Sequence, residues 1–113
     1  MRRRALSVMA AYYVVTGAWP IVHMRSFEAI TGPKNDKWLV NMVGALAVAN
    51  GIALAFGARR ETVSEETIVL AACSATAFAA IDLVYVSRGT IHPIYLGDAA
   101  VELALAAAII AGD

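Results

Sequence analysis

The sequence predicts an all-α integral membrane protein: one domain over residues 1–113, built as a bundle of four transmembrane helices. Three observations carry this. Hydrophobic residues make up 60 % of the chain and charged residues only 16 %, where soluble domains hold roughly 45–50 % and 25 %. The apolar residues fall into four runs, each near the ~20 residues that cross a ~30 Å hydrocarbon core. The charges gather between those runs, nine basic against nine acidic. Such a balance excludes intrinsic disorder and leaves no basic surface for nucleic acid. The single cysteine, Cys73, excludes an intrachain disulfide and a four-cysteine zinc site.

The first helix is expected over 4–24. Arg2, Arg3 and Arg4 precede it, and its apolar run is too long for a cleaved leader, so it is read as retained. Pro20 lies inside it and predicts a kink or local unwinding. The stretch from His23 to Pro33 is amphipathic and reads as a short interfacial helix ended by Gly32-Pro33. It serves as a connector or as a lid, with His23 and Glu28 supplying polar contacts. The second helix is expected over 38–57, after Asn35, Asp36 and Lys37. The third is expected over 67–87. Ser64 before Glu65 and Glu66 suits its capped start, because hydroxyl and carboxylate oxygens answer the free amides there. The fourth is expected over 93–112, with Pro93 in its first turn. The short loop from Arg88 to His92 makes the last two helices a tight antiparallel hairpin.

Basic residues favour an inner amino terminus: Arg2, Arg3, Arg4, Arg59 and Arg60 on that side against Arg25, Lys34, Lys37 and Arg88 on the other. Both termini are then cytoplasmic, in a multi-pass inner-membrane protein. Trp19, Trp38, Tyr85 and Tyr95 fall near the opposite surface, where amphipathic rings form an interfacial belt. Small residues supply close packing: Gly44, Ala47, Gly51 and Ala55 on the second helix, Ala71, Ala75 and Ala79 on the third, Ala100, Ala104 and Ala108 on the fourth. The same stripes suit a homo-oligomer interface.

Ionisable residues inside a membrane are costly and point to function. Asp82 and Asp98 each lie ~8 Å below the outer surface on adjacent helices, and Glu102 lies one turn deeper. Asp98 and Glu102, four apart, share one face. The hairpin thus brings Asp82 level with Asp98, with Glu102 beneath. Such a group needs a cationic partner or a proton; Arg25, Arg88, His23 and His92 are the bases at that end. Tyr12, Tyr13, Thr16, Asn41, Asn50, Ser74 and Thr76 are placed to extend a polar network. A structural reading stands beside the functional one: Asp98 answers a helix dipole, Asp82 holds Arg88, and Glu102 donates between helices. Cys73 reads as a buried thiol. No catalytic motif, metal-ligand spacing or cofactor loop is present, so no catalytic residue, metal or cofactor is expected.

The run from Trp19 to Glu28, followed by Thr31-Gly32-Pro33-Lys34, Asp36-Lys37-Trp38-Leu39-Val40 and Asp98-Ala99-Ala100-Val101-Glu102-Leu103, resembles a group of small bacterial four-helix membrane proteins with DoxX-like topology. A weaker resemblance runs to the emopamil-binding and sigma-2-receptor family, with Glu28 and Asp82 as loose counterparts. That resemblance implies a sterol-like ligand near intramembrane carboxylates. The family's glutamate-rich second helix is replaced here by Asn41 and Asn50. The leading expectation is an outer-leaflet cavity lined by Asp82, Asp98, Glu102 and Asn41, walled by Trp19, Tyr85 and Tyr95 and edged by His23 and Glu28, that binds a small amphipathic or cationic molecule. The alternatives are an oligomeric transporter or proton-coupled channel, and an accessory subunit of a membrane complex.

Overall fold

The computed structural model describes residues 1–112, and among these it is all-helical. Five helices follow one another: α1 (Arg2–Val22), α2 (Met24–Thr31), α3 (Lys37–Ala58), α4 (Glu65–Ser87) and α5 (Tyr95–Ala111). Three of them, α1, α3 and α4, are long and apolar enough to cross a membrane, at 21, 22 and 23 residues. The fifth has 17 residues, about 26 Å at 1.5 Å per residue, and carries Asp98 and Glu102. By length and apolarity three helices are able to cross a membrane; α5, where the fourth span is expected, is shorter than these.

The helix limits show which local signals prevail. The first helix continues past Pro20 and ends at Val22. The chain turns instead at His23, whose backbone leaves helical geometry at φ −149°. His23 then caps α2: its Nδ1 accepts from the Ser26 amide at 3.2 Å. Gly32 ends α2 at φ 95°, a left-handed value open to glycine. Ser64 caps α4 by accepting from the Thr67 amide at 3.2 Å, so α4 begins two residues before the expected start. Pro93 does not open α5. It sits in a turn in which the Tyr95 amide donates to the His92 carbonyl at 3.1 Å.

Helix α1 packs most closely on α3, and α4 on α5, while α1 joins the two pairs through α5. Glycine sets the first contact. A β-carbon on Gly51 would stand 2.8 Å from the Ala10 carbonyl oxygen, and one on Gly17 would stand 2.5 Å from that of Gly44. The α3 stripe is buried at Gly44, Ala47 and Gly51, but continues through Leu54 rather than Ala55. Ala71, Ala75 and Ala79 are buried as expected. On α5 the buried residues are Ala99, Glu102, Ala106 and Ile109, so the inward face lies one position away from the Ala100–Ala104–Ala108 stripe. Cys73 is exposed on α4, not buried.

One end of the bundle is tied by arginines. The Arg3 guanidinium donates to the Ala58 carbonyl at 2.6 Å and to that of Glu61 at 3.0 Å. The Arg2 Nε donates to the Ile109 carbonyl at 2.7 Å. Both answer carbonyls left free at helix C-termini, where the dipole also favours a cation. These contacts set α1 antiparallel to α3 and α5.

Candidate functional site

Asp82, Asp98 and Glu102 converge where α1, α4 and α5 meet. Tyr13 is 1 % exposed and Glu102 2 %, and the Tyr13 hydroxyl donates to Glu102 Oε1 at 2.7 Å. One position earlier, the Tyr12 hydroxyl donates to Asp98 Oδ1. The Asp82 carboxyl lies near that of Asp98. Neighbouring carboxyl groups repel each other when both are ionised. Asp82 is 6 % exposed, and its Oδ2 has no hydrogen-bond partner. The Tyr13 ring packs edge-on against Phe78 of α4, centroids 5.5 Å apart, which fixes the hydroxyl toward α5.

No arginine, lysine or histidine among the described residues forms an ion pair with these acids. Arg88 does not hold Asp82: its guanidinium lies over the Tyr85 ring at 5.8 Å. The bases at that end are engaged elsewhere or exposed. A buried carboxyl without a cation is costly when ionised and must be met by a proton or by hydrogen bonds. Here the tyrosine hydroxyls supply hydrogen bonds to Asp98 and Glu102.

The other expected site residues separate from this cluster. Trp19 donates from Nε1 to Ser26 Oγ at 2.8 Å and stacks edge-on against Phe27 at 5.3 Å, so it fastens α2 to α1. His23 is exposed and serves as the α2 cap. Glu28 holds the following loop: its Oε2 accepts from the Lys34 amide at 2.7 Å, and its Oε1 lies 3.4 Å from Lys37 Nζ. The Lys34 amide, and then Lys37, hold the Glu28 carboxyl below the usual glutamate range. Asn41 is exposed on α3 and is not brought to the acids. Asn50 bonds Ser74 at 3.3 Å, a separate tie between α3 and α4. Thr16 and Thr76 each return their hydroxyls to their own helix, at 2.6 and 2.7 Å.

Tyr95 belongs to the rim above the cluster, three residues before Asp98 and therefore on its face. The Lys34 ammonium stands 5.0 Å from the Tyr95 centroid and 5.7 Å from that of Phe27. It also donates to the Thr31 carbonyl at 3.0 Å. A β-carbon on Gly32 would lie 3.5 Å from His92 Cβ, so the loop after α2 rests against the α4–α5 turn. The loop thus covers the end of the bundle nearest Asp98. Two surface pockets lie away from the acids: one of about 420 Å³ beside α2, the other of about 540 Å³ at the arginine-tied end. No group of three or more metal-ligating residues occurs among the described residues.

Comparison with protein-family models, curated proteins and solved structures finds no match. The case for function therefore rests on the geometry of this chain.

Proposed function

We propose that the chain is a small inner-membrane protein with four spanning helices, α5 included, and both termini cytoplasmic, that binds a small amphipathic cation at Asp82, Asp98 and Glu102. One observation carries the reading: two buried acids, Asp82 and Glu102, gathered with the partly buried Asp98 and with no basic partner among the described residues, Asp82 having an orphaned oxygen. A ligand ammonium supplies the missing positive charge and displaces a proton from the acids. Asp98, only partly buried, is the point of access, and the Tyr95 and Phe27 rings above it suit an organic cation, since aromatic faces attract such groups. Lys34, already seated over those rings, leaves as the ligand enters.

The test is calorimetric titration of the full chain in detergent with hexyltrimethylammonium, beside hexanol as the neutral control. Saturable binding of the cation alone, weakened at least about tenfold by Asp82→Asn with Asp98→Asn, supports the reading; tenfold corresponds to about 1.4 kcal/mol. Equal binding by the double variant overturns it. A second reading, a proton-coupled transporter of several copies, is favoured by Glu102 sitting one turn deeper with Tyr13. Flux in proteoliposomes abolished by Glu102→Gln supports that reading; a monomer without flux defeats it.

A further inference from the structure

The pocket of about 540 Å³ at the arginine-tied end is unrelated to the acids and has a composition of its own. Its charged lining residues are Arg59 and Arg60, both cationic. They stand at the C-terminal end of α3, where a spanning helix meets the headgroup layer. Ala53 and Phe56 line the pocket on the last two turns of α3, and Phe56 is 65 % exposed. The wall therefore runs from cationic groups at headgroup depth down to an apolar, lipid-facing surface. The Arg59 guanidinium lies 5.8 Å from the Phe56 centroid, which keeps the charge directly above that wall.

The floor is shaped by close helix approach. A β-carbon on Gly57 would come within 2.6 Å of Thr67 Oγ1, so α3 and α4 meet there, and both residues line the pocket. The Ser64 hydroxyl faces Thr67 Oγ1 at 2.9 Å and accepts the Thr67 amide, and the arginines are the charged donors of the lining. Arg3 binds the backbone carbonyl of Arg60, not its side chain, so the Arg60 guanidinium is available to a ligand.

We infer that this pocket binds one anionic phospholipid, with the phosphate at Arg59 and Arg60 and an acyl chain along Phe56 and Ala53. Guanidinium groups bind phosphate oxygens through paired N–H donors, and two arginines at a membrane surface favour an anionic headgroup over a zwitterionic one. Free phosphate would share the arginines but gains nothing from the apolar wall, which is why the occupant is a lipid.

The experiment is native mass spectrometry of the full chain released from micelles containing equal phosphatidylglycerol and phosphatidylcholine. The expected result is retention of one phosphatidylglycerol, preferred roughly thirtyfold, as two surface arginines imply. Arg59→Gln with Arg60→Gln should abolish the preference while the far-ultraviolet dichroism stays unchanged, and Arg25→Gln at the opposite end should leave it intact. Phe56→Ala should weaken retention of both lipids. Equal retention of the two lipids by the unaltered chain overturns the inference. So does a preference that survives the double substitution in a folded protein, or displacement of the lipid by inorganic phosphate at the concentration at which soluble short-chain phosphatidylglycerol displaces it.

Discussion

Tyr13→Phe is the sharpest probe of the acid cluster because it removes one oxygen and little else. The ring keeps its edge contact with Phe78, 5.5 Å away, and the volume barely changes. What is lost is the 2.7 Å bond to Glu102, between two side chains that are 1 % and 2 % exposed. Leaving a buried acceptor without its donor costs about 1–3 kcal/mol in soluble proteins. Interhelical hydrogen bonds in membranes average about 0.6 kcal/mol and reach about 1.7. The burial here is nearly complete, so a cost of about 1–1.5 kcal/mol is expected. Glu102→Leu alone orphans the tyrosine hydroxyl and should cost at least as much. The double variant removes both groups, and the cycle should give a coupling of about 1 kcal/mol. Tyr12→Phe should cost less, since Tyr12 and Asp98 are only partly buried. Reversible unfolding in mixed micelles, followed by helical dichroism, measures all four proteins. Additive single effects, or a Tyr12→Phe cost above that of Tyr13→Phe, would refute the reasoning.

Further outcomes follow from other parts of the structure. Glu28 titrates below its unfolded value, so its hold on the loop is complete above the unfolded value near 4.3 and is lost as pH falls through the folded one; the protection factor of the Lys34 amide, taken relative to its intrinsic exchange rate, should fall in acid, and less so in Glu28→Gln. Arg3→Ala frees the carbonyls at the end of α3 and should cost about 0.5–1 kcal/mol, seen as faster amide exchange confined to the α3–α4 loop. Gly51→Ala forces α1 from α3 and should destabilise by about 1–3 kcal/mol. Gly97→Ala meets no atom within 4 Å and should stabilise by up to about 1 kcal/mol; paired thermal melts check both.

Much of this architecture is legible in the residues because charge is expensive in lipid. Arg2–Arg4, Asp36–Lys37, Arg59–Glu66 and Arg88–His92 punctuate the helices, and the spacing of Asp82, Asp98 and Glu102 is enough to bring them together. What escapes is rotation about each axis. An alanine-rich helix looks alike on every face, so the Ala100–Ala104–Ala108 stripe is as plausible as the true one, which Glu102 marks through Ala99, Ala106 and Ile109 at i−3, i+4 and i+7. Asn41 fails for the same reason: α3 turns Gly44, Ala47 and Gly51 to α1, and Asn41 faces away. Successive tyrosines point about 100° apart, yet both Tyr12 and Tyr13 reach acids because Asp98 and Glu102 stand one turn apart on the neighbouring α5. His23 and Glu28 look like ligand contacts in the sequence, but local backbone amides claim them first. Pro20 leaves α1 intact because the helix ends within three residues of it.

The central claim is that the acids hold a proton in the place of a missing cation. Calorimetric titration with hexyltrimethylammonium in buffers of different ionisation enthalpy counts the protons released on binding. The account predicts close to one proton released per cation bound, and none from Asp82→Asn with Asp98→Asn. Binding without proton release, or release unchanged in that variant, would contradict it.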